Sequence, residues 1–319
     1  LIFIESPNKT KKIAKYAGKG FKVIATVGHF RDLVKNLKKS IDIENNFKPT
    51  YEIKKKDIYK RIRSEAKKAS EIYLGADLDR EGSYINYHIC SCLKLDPNKV
   101  KVLKYNEITQ KAIQEAIKNP VKLDMNLVRS AEARRISDRL LGFTLSPLLW
   151  RHVAPALSAG RVQSPALRLV SEKKEKIKEF VPSMYFETLG NFKLRNDGKE
   201  EIEINGKFLK KYKKSSEIEE LLEDCKTADF IVKSSEKKEG IMRPPPPFTT
   251  SSLQQTASSK LGMTPKSTMS IAQNLFADGL ITYHRTDSVA LSKEILDKMG
   301  EYIPDKFGKE YYQRRVFKT

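Results

Sequence analysis

The chain is poor in cysteine, in histidine, and in acidic charge relative to basic. Its three cysteines, Cys90, Cys92 and Cys225, are odd in number and form no Cys-x-x-Cys pair. That argues against a disulfide framework and against a zinc ribbon, and for a reducing compartment. Against 40 acids stand 61 lysines and arginines, a formal net charge of +21 spread along the whole chain. The excess points to a polyanionic partner, nucleic acid before an anionic membrane surface. No run of about 18 apolar residues offers an apolar membrane-spanning helix, and no basic amphipathic helix shows a clean apolar face. A Gly-x-x-x-x-Gly-Lys-Ser/Thr phosphate loop is absent. The first residue is Leu1, in a strand-like run unlike a signal peptide, so the chain reads as a fragment of a longer product.

With 319 residues, more than one domain is expected. Leu1–Ile4, Phe21–Val27, Glu71–Ala76 and Val100–Tyr105 read as strands. Lys9–Tyr16, Tyr84–Leu93 and Gln110–Lys118 read as helices. Residues 32–63 form a Lys-rich surface excursion ending in a helix near Ile58–Lys68. This alternation predicts an α/β domain with a mainly parallel sheet over residues 1–120. A long helix over Asn126–Trp150 and a second over Val162–Ile177 predict a helical region, residues 121–180. Tyr185–Leu194, Glu201–Leu209 and Asp229–Ser235 alternate as half-buried antiparallel strands do, which assigns residues 181–240 to a β region. A stiff polyproline hinge, Arg243–Phe248, leads into helices at Ser251–Leu261 and Pro265–Phe276, within a last region of residues 241–319.

Three stretches carry chemistry. Thr282-Tyr-His-Arg-Thr-Asp-Ser288 sets a phenol two residues before a guanidinium. A fixed cation would help such a phenol ionise and would stabilise charge on an attacked phosphate; on these residues alone a turn with Tyr283 half buried is the rival reading. Asp77-Leu-Asp-Arg-Glu-Gly82 places three carboxylates on alternate residues at the end of a strand, the edge where open α/β sheets bind ligands. Mg²⁺ suits such hard oxygen donors; a solvated acidic turn is the rival. An EF-hand is excluded, because its twelfth position holds His88 and the preceding run is strand-like. Glu5 is a fourth acid, which joins the others if the first and third strands are neighbours. Finally, Arg135, Arg139 and Phe143 share one face of the long helix. They read either as a groove for single-stranded DNA or as a salt-bridged helix with its aromatic in the core.

In order along the chain, Ile4-Glu-Ser-Pro-Asn-Lys9, Asp77–Gly82 and Thr282–Ser288 resemble signatures of type IA DNA topoisomerases. Between them, the resemblance extends to Thr26–Leu33, Asp42–Phe47, Asn106–Thr109, Ser146–Trp150, Leu157–Ser164 and Pro247–Gln255. It covers essentially the whole chain and is stronger to bacterial topoisomerase I than to topoisomerase III.

The resemblance implies a multidomain α/β, α and β architecture. A Toprim domain would occupy residues 1–120, the first part of a helical single-strand-binding domain 121–180, a β hinge domain 181–240, and an incomplete catalytic-tyrosine domain 241–319 of a toroidal molecule. It further implies that Tyr283 attacks DNA and that Arg285 holds the scissile phosphate. Glu5 would move a proton and Lys9 contact phosphate. Asp77, Asp79, Glu81 and Glu5 would hold Mg²⁺, chiefly through the aspartates. Arg135, Arg139, Phe143, Arg161 and Gln163 would touch DNA. The expected reaction is an ATP-independent relaxation of negatively supercoiled DNA, by a protein monomeric at full length and without zinc in this chain. Its partner is single-stranded or underwound DNA, not a membrane, in the cytoplasm at the nucleoid or in a viral host's DNA compartment. The alternatives are a Toprim nuclease or primase and a non-catalytic single-strand DNA-binding fragment. Two positions depart from the family: His284 stands where Met is common, and Ser83 where another acid is usual. The chain also ends short of the returning segments, so it is expected to be marginal alone.

Overall fold

Three apolar residues, Ile2–Ile4 (β1), begin a sheet whose faces are set by their alternation. The structure is a computed structural model and describes residues 1–196, 200–240 and 243–317. Residues 241–242 and 318–319 of the expected last region lie outside the described residues. After β1 come a single helical turn at Pro7–Lys9, α1 (Thr10–Ala17) and β2 (Val23–Ala25). The lysine-rich excursion then holds β3 (Arg31–Leu33), α2 (Leu37–Ser40), β4 (Ile41–Asp42), β5 (Lys48–Pro49), β6 (Tyr51–Ile53) and α3 (Lys56–Ala66). The chain returns through β7 (Tyr73–Leu74), α4 (Arg80–Leu93), β8 (Lys101–Val102) and α5 (Gln110–Lys118). The main sheet has the order β2-β1-β7-β8, and all its pairs are parallel.

The first and third expected strands are therefore neighbours. Connections from β1 lead to one side and those into β7 to the other, so the order reverses between these two strands. In a parallel sheet that crevice, at the carboxyl ends, is the usual ligand site. Ile2 and Ile4 belong to one core, with Ile13, Leu103, Ile113, Phe276 and Tyr283. Phe3 belongs to the other, with Ile24, Leu74, Tyr84, Ile85, Val128 and Ala131. Both faces are covered, as a parallel sheet requires.

The long helix α6 (Met125–His152) starts at Asp124, whose side chain accepts the amides of Asn126 and Leu127, and it runs through Pro147. Beyond it, residues 162–243 form a second compact unit, the first being 1–161 with 244–319. That second unit contains α7 (Gln163–Lys178), the antiparallel ribbon β9 (Leu189–Asn196) with β10 (Glu200–Lys207), and α8 (Ser215–Thr227). The expected strand at Asp229–Ser235 does not form; the Phe230 ring meets Phe192 at 4.9 Å without backbone pairing. Alternation chooses which side of a strand would face inward, but it does not supply an edge to pair with.

In the first unit, α9 (Thr250–Leu261), α10 (Pro265–Ala277) and α11 (Lys293–Phe307) complete the chain's helices. Their starts are written in the sequence: Thr249 with Ser252 makes a capping box, Thr264 caps α10 ahead of Pro265, and Ser292 caps α11. Among the described residues no helix is long and apolar enough to cross a membrane.

Candidate active site

The carboxyl ends of β1 and β7 deliver Glu5 and Asp77 to the same edge. Between them Lys9, only 1% exposed, donates to Asp77 Oδ1, and its ammonium also lies 4.4 Å from the Phe276 ring centroid. Asp79 follows in extended conformation as the N-cap of α4, its Oδ1 accepting the Gly82 amide at 2.8 Å. Gly82 is required by close packing: a Cβ there would lie 2.0 Å from the Asp77 carbonyl oxygen.

The other carboxylate oxygen of Asp79 accepts the Tyr283 hydroxyl at 2.6 Å and Arg285 Nη1 at 3.3 Å. Several contacts seat this segment. The Tyr283 amide donates to Asn106 O at 2.8 Å, and its ring meets Phe276 edge-on at 5.1 Å. Thr250 Oγ donates to His284 O at 2.8 Å and accepts the Thr286 amide at 3.0 Å. Before it, Gly279 turns with φ 63°, where a Cβ would lie 2.5 Å from Ile108 O.

The Arg285 charge favours ionised Tyr283, as expected, but in this arrangement it is outweighed. Burial, then the hydrogen bond and negative charge of Asp79, push the phenol well above its ordinary value, and the Arg285 charge only partly opposes them. Glu5 is pushed up to about 7 by burial, with the Asp77 and Asp79 charges adding. His284 is buried beside Phe276 and Tyr283; burial lowers it, and its Nδ1 has no partner. Ser83 lies in the first turn of α4, its amide on Asp79 O at 3.0 Å.

Glu81 does not join the other acids. Its Oε2 is 2.8 Å from His29 Nε2 and 3.7 Å from Arg135 Nη2. The His29 hydrogen bond, helped by the Arg135 charge, holds its carboxyl below the usual range against burial. The backbone also departs from the expected alternation. The chain turns between Asp77 and Asp79, where the Asp79 amide donates to Asp77 O at 2.8 Å. The helix starts at Arg80, and from there two residues turn the side chain by about 200°.

Among the described residues no group of three or more His, Cys, Asp or Glu is arranged to hold a metal ion. The donor chemistry of Asp77, Asp79 and Glu5 nonetheless suits a hard divalent cation. The Asp77 and Asp79 charges, which add to the effect of burial on Glu5, are what such an ion would relieve.

On α6, Arg135 Nη1 is 2.8 Å from Asp32. Arg139 donates to Lys35 O at 3.4 Å and lies 5.0 Å from the Phe143 ring, which is 45% exposed and not in the core. Arg161 makes a two-pronged pair with Asp138 at 2.8 and 3.3 Å. Gln163 opens α7 in the second unit. The sequence reading assigned no role to His29 and overlooked Asp32, Asn106 and Thr250. All four lie in stretches picked out as motifs, but only tertiary contact reveals their work.

The Toprim domain family matches residues 1–108, and a DNA topoisomerase family matches residues 122–319. DNA topoisomerase 1 of Rickettsia bellii is 43% identical over 344 aligned residues, covering 100% of this chain and 42% of the relative. The structure is similar to full-length topoisomerase I from Thermotoga maritima, with a TM-score of 0.83 and 35% identity, over 99% of this chain and 54% of that one. The chain thus spans about half the length of these relatives.

Proposed function

The chain belongs to the bacterial type IA DNA topoisomerase family, and from that premise we propose that it carries the single-strand breaking and rejoining centre of such an enzyme. The Tyr283 oxygen attacks a DNA phosphorus, the P–O3′ bond breaks, and a 5′-phosphotyrosyl link and a free 3′-hydroxyl result. In the reverse step the 3′-oxygen attacks and restores the strand. Phosphate ester exchanges for phosphate ester, so the bond energy is conserved and no ATP is needed. Strand passage between the two steps relaxes negatively supercoiled DNA.

The observation that carries this reading is the meeting of Tyr283, Arg285 and Asp79 across 204 residues of sequence. The phenol already directs its proton to a carboxylate. Arg285, 58% exposed at its side chain, is free to turn toward a phosphate and stabilise its developing charge. Glu5, at about 7, suits giving a proton to the leaving 3′-oxygen and taking it back on rejoining. Lys9 neutralises Asp77 in the resting site and is the cation next to an incoming phosphate.

Asp77, Asp79 and Glu5 would hold Mg²⁺, with Glu81 joining only if its present partners release it. The ion would help position the cleaved end and neutralise charge there. The face of α6 with half-buried Arg139 and exposed Phe143 would receive single-stranded or underwound DNA; Arg161 and Gln163 would each add a DNA contact. The four regions 1–120, 121–180, 181–240 and 241–319 remain our division of the chain, within a monomer active at the nucleoid.

The test is covalent trapping. The whole gene product is mixed with a 3′-end-labelled single-stranded oligonucleotide and quenched with denaturant. Label migrating with the protein is expected, and none with Tyr283→Phe. DNA binding without any adduct would leave a Toprim nuclease or a non-catalytic binder instead.

A further inference from the structure

Arg135 was expected to contact DNA, yet in this structure both arms of its guanidinium face protein carboxylates. Nη1 is 2.8 Å from Asp32 and Nη2 is 3.7 Å from Glu81. The same Glu81 oxygen is 2.8 Å from His29. Every acid at this edge except Glu5 therefore has a cation: Lys9 on Asp77, Arg285 on Asp79, Arg135 on Glu81, which also meets the His29 ring. Only the last of these cations stands on the helix that is expected to carry DNA.

Its position on α6 is telling. The first turns of that helix are fixed to the sheet domain: Val128 and Ala131 are buried, and Glu132 accepts the Tyr51 hydroxyl at 2.6 Å. One turn beyond Arg135, Arg139 is half-buried, and a further turn on Phe143 is open to solvent. Arg135 lies between the buried start of the helix and the exposed Phe143. At 27% exposure its side chain is reachable from the groove.

We infer that Arg135 is a positioning residue for Glu81: with His29 it holds that carboxylate away from Asp77 and Asp79, and a DNA strand that draws the guanidinium into the α6 groove releases Glu81 toward the cation site. The inference rests on the reading of α6 as a DNA groove and of the aspartates as cation ligands. A phosphate or base acceptor competes with two carboxylates for one guanidinium. When it wins, Glu81 loses a balancing charge two residues from Asp79, and the edge gains affinity for a divalent cation. Linkage makes the effect mutual: DNA tightens the cation, and the cation tightens DNA by the same factor.

The experiment measures binding, not turnover. Mn²⁺ is titrated into the protein and followed by the electron paramagnetic resonance of the free ion, with and without a single-stranded oligonucleotide whose own Mn²⁺ binding is subtracted. For the unsubstituted protein the oligonucleotide should tighten Mn²⁺ by about fivefold or more. Arg135→Gln should bind Mn²⁺ more tightly without DNA and gain little from it. Glu81→Gln should show no DNA effect, and adding Arg135→Gln to it should change nothing. Asp32→Asn should act in the opposite direction, because the guanidinium left to Glu81 alone holds it harder; DNA-free Mn²⁺ binding should weaken. That opposite sign separates positioning from general damage, even if Arg135→Gln folds poorly. Unchanged or weaker Mn²⁺ binding in a folded Arg135→Gln, tighter binding in Asp32→Asn, or coupling retained in Glu81→Gln would overturn the inference. Oligonucleotide anisotropy distinguishes the two failures. Binding without coupling sinks the inference alone, and no binding sinks the DNA reading together with it.

Discussion

The two faces of the parallel sheet have received different distant segments and hold their charge differently. The Ile2/Ile4 face takes in Phe276 and Tyr283, and one ion pair at its edge is locked inside: Lys9 and Asp77 are 1% and 8% exposed. The Phe3 face takes in the start of α6, and at its edge Glu81, Arg135 and Asp32 are all between 27% and 31% exposed. A buried pair has no substitute partner, so it can only be broken or joined by an ion. A half-exposed pair exchanges partners with little loss. In the proposed function, the covalent chemistry sits beside a buried pair that cannot exchange partners, with Arg285 as the exposed cation, and recognition sits beside pairs that can.

Lys9→Met should give the largest departure between the faces. It keeps most of the apolar stem but leaves Asp77 buried without its cation, a loss of about 3–5 kcal/mol measurable by urea unfolding. A loss below about 1 kcal/mol, the range of surface pairs, would erase the distinction drawn here. Glu5 sharpens it through pH. Its native value of about 7 lies above its ordinary 4.5, so between those values the native state holds more protons than the unfolded one. Stability therefore falls as pH rises through this window, and the deficit persists above it. In chelator, Glu5→Gln should gain in melting temperature relative to the unsubstituted protein from pH 4.5 to pH 7 and then hold level. Parallel profiles would show that Glu5 is not crowded by Asp77 and Asp79.

Phe143→Ala addresses the other face. A base stacked on that ring is worth about 1–3 kcal/mol, so single-strand affinity in an anisotropy titration should fall by about fivefold or more. The melting midpoint should hardly move, because the ring is 45% exposed. A large destabilisation would restore the rival sequence reading, in which Phe143 belongs to a core.

How much of this was legible depended on how local the determinant was. The helix Gln110–Lys118 was readable residue for residue because Thr109 caps it. Strands were read too long: Phe21–Val27 shrinks to Val23–Ala25, since apolar character continues past the last paired residue. The row of alternate acids was read as one cluster, but the chain turns between Asp77 and Asp79 and becomes helical at Arg80, and Glu81 pairs with His29 and Arg135 instead. The effect of Arg285 on Tyr283 was argued from two neighbours in sequence and has the expected direction. Burial and Asp79, 204 residues away, outweigh it, and neither is written near Tyr283.

The smallest effect expected is also the easiest to mistake for an important one. Lys111 on α5 and Glu294 on α11 are 2.7 Å apart across 183 residues, and they join the sheet domain to the helix after the tyrosine segment. Both are exposed, at 77% and 44%, so water and salt screen them and side-chain entropy opposes their pairing. What seats the segment is instead the Tyr283 amide on Asn106, the tight turn at Gly279, and Phe276 in the core. Lys111→Ala should therefore leave the melting midpoint unchanged at physiological salt, with adduct formation intact. A clear fall in adduct yield, relieved by a compensating charge reversal at both positions, would mean that exposed charge also governs the buried face.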